Sequence, residues 1–396
     1  MSKHSQRLHS IDVFRAVVMF LMIFVNDLEG VPGVPQWLKH AGDRVDGLGL
    51  ADTIFPAFLF IVGLSIPFSL KSRAAQGSDK YRLLIHIISR SVALIFIGFI
   101  HANMETYSAT APLPQAVWEV LITISFFLIW VDYPLHISKI ATQLLRLIDI
   151  LLCIALCLLY KSNAGMGHTW LHFSWWGILG LIGWAYLFCA VICVLSDSAL
   201  WAIVSAWVFF LLFNLDFHFG WLNFLNGTQG YVGLAGNGAM QAFTMSGVII
   251  SMVYARYKNS NQAALVWVML LMLSVIMFNM GFVVRYFSGG ISKANDTPSW
   301  LMICTGINII AYGFFMFLVD VLGKQRWFSL IKPAGTNTLT CYLLPFMFYP
   351  LYEMTDFGYP DAFTHGTGGL IKCIVFALLM VGLTGLLERK HIRLKI

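Results

Sequence analysis

An arginine and an asparagine eleven residues apart on one apolar helix must be provided for. Arg15 and Asn26 bracket the run Ala16–Val25. Eleven residues are close to three helical turns, so both side chains fall on one face. In hydrocarbon such groups need partners or water. One reading is a polar lining that runs from one membrane face towards the other. The alternative is an Asp12–Arg15 interfacial ion pair at i,i+3, with Asn26 capping the far end of the helix. The next segment brings His40, Asp43 and Asp46, and then Asp52 at the start of a second apolar run that holds Pro56, Gly63 and Pro67. A lone loop histidine is ordinarily a surface residue, although imidazole, with a usual pKa of about 6.5, suits a base at neutral pH. Asp52 stands where an N-cap belongs, Pro56 falls in the first turn, and Gly63 and Pro67 should bend the helix. The cap reading of Asp52 ranks ahead of a catalytic one.

The elements that hold these residues are membrane spans. The chain has 59% hydrophobic and 11% charged residues, against roughly 45–50% and about 25% in soluble domains. Its basic residues, net +6, are scattered at span ends rather than gathered in a stripe, which excludes nucleic-acid binding. Seven cysteines all lie in apolar runs. Cys153/Cys157 and Cys189/Cys193 each share a helix face, but without neighbouring His or carboxylates they read as packing, not as a metal site. The polar start and the run behind it lack a small-residue cleavage site, so the run is a retained first span.

Runs long enough to span begin near Ile11, Ala51, Leu83, Ala116, Arg146, Trp176, Leu200, Met240, Ala264, Trp300, Ala334 and Gly368. The expected fold is therefore an all-α polytopic transmembrane bundle of eleven or twelve spans, forming a single integral membrane domain over residues 1–396. With both termini cytoplasmic, nineteen Lys and Arg fall on the cytoplasmic side and six on the other, which fixes the expected orientation. The far-side loops hold more than half of the 11 His. Glu119 reads either as facing a cavity or as sitting at the interface, and Arg285 flanks the outer end of the ninth span.

Three patches add a resemblance. Ser10-Ile-Asp-Val-Phe-Arg-Ala16, Phe24-Val-Asn26, Lys39-His-Ala41 and Leu50–Pro67 form the first. Ser292-Lys293 with Thr297-Pro-Ser-Trp300 is the second, and Pro333-Ala-Gly-Thr-Asn337 the third. In this order they resemble the heparan-α-glucosaminide N-acetyltransferase family of transmembrane acyltransferases. The resemblance implies transfer of an acetyl group from cytosolic acetyl-CoA to a glucosamine amine across the membrane. It makes His40 the active-site histidine and Asn26 its companion, with residues 10–70 carrying the site. The family's aromatic and Asn-Gly after the histidine are replaced here by Gly42–Gly47, and the Asn26–His40 loop is longer.

His40 then serves as base or acetyl carrier, and the Asn26 amide steadies an oxyanion or orients the imidazole. The phosphates of acetyl-CoA want cations near a cytoplasmic route. Arg15, Arg82, Arg90 and Lys332, with Asn337, are the donor-side candidates; for each cation the positive-inside anchor is the competing reading. Asp43, Asp52 and Lys293 are the acceptor-side candidates; Asp43 and Asp46 offer carboxylates to the acceptor's ammonium, with a solvated loop as the leading reading of both. The expected protein is a bacterial inner-membrane N-acetyltransferase for an amino sugar, with no metal. A homodimer is left open. A secondary transporter or flippase for a sugar or lipid-linked sugar is the alternative class, and an inactive scaffold the third.

Overall fold

Apolar side chains at almost every position leave a backbone that can satisfy its own polar groups in lipid only by coiling into helices. The computed structural model describes residues 8–42, 44–133, 138–163, 165, 169–220, 236–257, 263–355 and 357–396. Asp43 lies outside the described residues. In chain order the long helices are α1 (His9–Leu28), α2 (Leu50–Ala75), α3 (Lys80–Met104), α4 (Gln115–Trp130), α5 (Lys139–Leu159), α6 (Gly177–Leu195), α7 (Leu200–Phe219), α8 (Ala239–Tyr257), α9 (Ala263–Arg285) and α10 (Pro298–Met316). Three short helices follow, α11 (Lys332–Thr336), α12 (Thr338–Leu343) and α13 (Pro345–Glu353), and then α14 (Gly366–Arg389).

The protein is an all-α polytopic membrane protein. Among the described residues, eight helices are long and apolar enough to cross a membrane. The other four expected runs are also helical but differ in kind. α1 carries Asp12, Arg15 and Asp27, and α4 is short at 16 residues. The run from Lys332 is interrupted at Asn337, whose backbone leaves the helical region. α8 is polar for a span, with Gln241, Thr244, Ser246 and Ser251, yet nearly all of it is buried. Its hydroxyls are satisfied within the helix: Thr244 donates to the Met240 carbonyl, Ser246 to Phe243 and Ser251 to Val248. By contrast α5 turns Leu144, Leu147, Ile148, Leu151 and Leu158 outward, as a lipid-facing helix does.

Small residues set the close crossings. A side chain on Gly63 of α2 would meet the Thr244 carbonyl and Gly247 of α8, and one on Gly247 would meet the Phe60 carbonyl. Gly98 of α3 meets Gly180 and the Trp176 carbonyl at the start of α6 in the same way. Gly63 therefore serves a helix crossing, and α2 continues as one helix through Pro56 and Pro67. Gly63→Leu should lower stability by about 1–3 kcal/mol or more, because a packed crossing cannot absorb the added volume. Gly382→Ala, where nothing lies within 4 Å, should leave the unfolding midpoint unchanged. Thermal unfolding of both variants in detergent checks the pair.

Candidate active site

After α1 the chain turns through Pro32 and Pro35 and a single 3-10 turn, Gln36–Leu38. It is then tied back to the helix it has left. Lys39 Nζ donates to the Glu29 carbonyl at 2.8 Å, and the His40 backbone N–H reaches Glu29 Oε2 at 3.4 Å. Glu29 caps α1 one helical spacing, i+3, beyond Asn26, so the segment that carries His40 is tied to the Asn26 end of that helix.

Asp52 fixes the imidazole. It lies in the first turn of α2 and is only 2% exposed. Its Oδ2 accepts the Gly49 N–H at 3.0 Å, capping the helix, and the Ala41 N–H at 2.9 Å. The other oxygen, Oδ1, lies 2.6 Å from His40 Nδ1. An ionised carboxylate only accepts, so Nδ1 carries the proton, and in the neutral imidazole the lone pair is then on Nε2. The carboxylate that caps α2 is thus also the one that holds the His40 ring. Trp300 of α10, fully buried, donates Nε1–H to the Asp52 carbonyl at 3.2 Å and packs edge-on against Phe243.

A second loop, between α9 and α10, closes over this one. Asp46 holds Arg285 at 2.8 Å and accepts the Ile291 N–H at 2.7 Å, while the Gly47 N–H bonds the Ile291 carbonyl. The Ile291 N–H, with help from Arg285, holds the Asp46 carboxyl below its usual range. Asp46 is therefore a clamp between loops. That clamp delivers Lys293, whose Nζ lies 3.4 Å from His40 Nδ1 and 3.5 Å from Nε2. Burial pushes the Lys293 ammonium below its usual pKa. Burial also raises the Asp296 carboxyl to about 7, with Lys293 pulling the other way. Asn214 and His218 of α7 hold the Asp296 carbonyl, fixing the left-handed turn at that residue.

At the other end of α1 a cavity of about 470 Å³ opens. Arg15 lies on its wall, donating to Ser65 Oγ at 2.6 Å, to Asp12 Oδ1 at 3.1 Å and to the Gly335 carbonyl at 3.3 Å. The ion pair and the polar lining are both present. Arg90, stacked 4.9 Å over Tyr186, lines the same cavity, as does Asn337. Its wall is completed by the tail beyond α14. There Asn337 Nδ2 donates to the Ile392 carbonyl, and Arg393 and Lys395 bond by their backbones to the end of α4. A separate, smaller cavity of about 60 Å³ reaches Asn26, and Met22 and Tyr342 line both.

The family described as a domain of unknown function, DUF5009, matches residues 7–217, more than half of the chain. The chain belongs to the DUF5009 family. It is also 45% identical over 98 residues to the heparan-alpha-glucosaminide N-acetyltransferase of Homo sapiens, and 41% identical over 100 residues to that of Mus musculus. Those stretches cover 24% and 25% of this chain and 14% of each relative's length.

Of the residues singled out in this DUF5009 chain, the structure gathers His40, Asp52 and Lys293 into one cluster. It gathers Arg15, Arg90 and Asn337 around one cavity, with Asn26 on the smaller one. Asn26 lies inside α1 and does not cap it. Arg82, beside Asp79, and the exposed Lys332 do not line the cavity. Ser65, Arg393 and Lys395 do, and sequence reasoning missed them. The two cations had registered only as positive-inside anchors, while Ser65 gave no signal beyond a hydroxyl within an apolar run.

Asp296 supplies a pH test. Its folded-state pKa lies above the ordinary carboxylate value, so between about 4 and about 7 the folded protein holds a proton that the unfolded chain has released. This group's contribution to stability is therefore full at acid pH and declines as pH rises through that window. Asp296→Asn should flatten the decline of the unfolding midpoint between pH 5 and pH 7.5, as measured by thermal scans across pH.

Proposed function

We propose that the chain is an N-acyltransferase that moves an acetyl group from coenzyme A to the primary amine of a glucosamine-type sugar. The observation that carries this reading is the His40 Nδ1–Asp52 contact of 2.6 Å. In the neutral ring it makes Nε2 the basic nitrogen, on a loop tied to the Asn26 end of the helix that lines both cavities. The names of the human and mouse relatives agree with the reaction and the acceptor class.

The donor's phosphates meet Arg15 and Arg90 at the mouth of the cavity, and its thioester arm follows the α1 face towards Asn26. From Arg15 to Asn26 the helix rises ~16 Å, so a long, thin donor fits and a compact one does not. The acceptor amine attacks the thioester carbonyl carbon. The C–N bond forms as the C–S bond breaks, His40 Nε2 takes the amine proton, and the coenzyme leaves as its thiolate, which is then protonated by water. Negative charge gathers on the carbonyl oxygen during attack; the Asn26 amide and the Lys293 ammonium are the groups that answer it. Asp52 holds the tautomer and balances the imidazolium. The positive-inside bias makes the Arg15 end cytoplasmic, with the chain in a bacterial inner membrane and the acceptor at the outer end.

Detergent-purified protein given radiolabelled acetyl-CoA and a panel of glucosamine-ended acceptors should yield an N-acetylated sugar. His40→Ala should cut transfer by about 10²–10⁴-fold with its unfolding midpoint preserved. Full turnover in a folded His40→Ala protein would end the assignment of His40. Absence of any acetyl-CoA binding or transfer would end the acyltransferase reading.

A further inference from the structure

The small chamber at Asn26 has a size and a wall of its own. Its volume is about 60 Å³, against about 470 Å³ for the cavity on the other side of Met22 and Tyr342. A space that much smaller admits the short end of an acyl donor (methyl, carbonyl and sulfur) and not its bulk. Each two-carbon extension of the acyl chain must displace the wall.

Phe346 forms part of that wall, and it has nowhere to go. Its ring stacks on the His101 imidazole of α3 at 4.1 Å, nearly parallel, and lies 5.4 Å from the ring of Tyr342. His101 is 7% exposed and rests in turn against Phe126, which is fully buried. Both ring nitrogens of His101 lack a hydrogen-bond partner among the described residues. A buried polar ring left unpaired is costly, and here it is held in place as the backing of Phe346. Met19 of α1, fully buried, and Ile23 line the chamber as well. Asn26 contributes the amide.

We propose that this chamber is an acyl-length gauge, in which Phe346, backed by His101, and Met19 limit the donor to a two-carbon acyl group. The inference rests on the acyltransferase reading and adds its specificity determinant. An acetyl group sits with its carbonyl at Asn26 and its methyl against Phe346. A hexanoyl chain meets a ring that cannot rotate away, because a stacked imidazole lies behind it. Shortening Phe346 opens the chamber towards His101 and brings two unpaired ring nitrogens within reach of water.

The test is competition by unlabelled acetyl-, butanoyl- and hexanoyl-CoA against labelled acetyl-CoA on detergent-purified protein, with transfer rates measured in parallel. The wild-type protein should bind and transfer acetyl at least tenfold better than hexanoyl. Phe346→Ala should erase or invert that preference in both binding and transfer. Phe346→Leu and Met19→Ala, milder changes on the same chamber, should move it in the same direction and keep the test decisive should Phe346→Ala not fold. A wild-type protein that handles acetyl and hexanoyl thioesters equally overturns the gauge while leaving the acyltransferase reading intact. So do folded variants with an unchanged acetyl-to-hexanoyl ratio. A protein that binds none of the three thioesters overturns both.

Discussion

A carboxylate almost wholly removed from water must have its oxygens filled, and the His40 end of this bundle is organised around meeting that requirement for Asp52. One oxygen takes two backbone N–H groups, from Ala41 and Gly49, and the other takes His40 Nδ1. The first two bonds shape the loop and start α2; the third sets the tautomer of the only imidazole in the cluster. Losing the carboxylate would leave two backbone N–H groups without a partner, at about 1–3 kcal/mol each. The loop from Lys39 to Gly49 therefore has little freedom. The Asp46–Arg285 clamp and the Trp300 bond to the Asp52 carbonyl then bring a loop from the far end of the sequence, with Lys293, against the same ring.

The Arg15 end answers the same kind of demand with different means. Arg15 lies within a membrane helix and is matched by Asp12, Ser65 and the Gly335 carbonyl. The last of these is available because the chain between Lys332 and Leu343 is interrupted. Gly335 approaches α1 so closely that a side chain there would strike the Asp12 carbonyl, and Asn337 breaks the helix while binding Thr340 and the tail. An interrupted helix is tolerated at membrane depth where its freed groups are met by protein or line a cavity. Here they do both. α1 thus carries a guanidinium at one end, an amide near the other, and thioether side chains between them.

Much of this was legible beforehand. All twelve apolar runs are helical, since length and hydropathy alone force that outcome. The hydropathy of α8 does not announce that it is the most enclosed helix, because a Ser or Thr satisfied by its own backbone packs as well as an Ala. The Arg15–Asn26 face could be read from spacing, and Met22 between them lines both cavities. Pairings across long separations could not be read this way. Asp46 looked like a solvated acid because Arg285 is 239 residues away, and Asp52 looked like a cap because nothing local shows an imidazole folding back on it. Arg82 and Lys332 were indistinguishable from Arg90 as cations at span ends; only the direction each side chain takes from its helix separates them.

The central claim is that one face of α1 leads the donor from Arg15 to a reaction point beside Asn26 and His40. The most direct measurement is a cryo-electron microscopy map of the protein with a non-hydrolysable acetyl-CoA analogue. The account predicts density for the phosphates against Arg15 and Arg90, a thin arm passing Met22 and Tyr342, and the acyl end at Asn26 on the His40 side. An analogue bound elsewhere, or held at the Arg15 end with the Met22–Tyr342 passage closed and its acyl group in solvent, would contradict it.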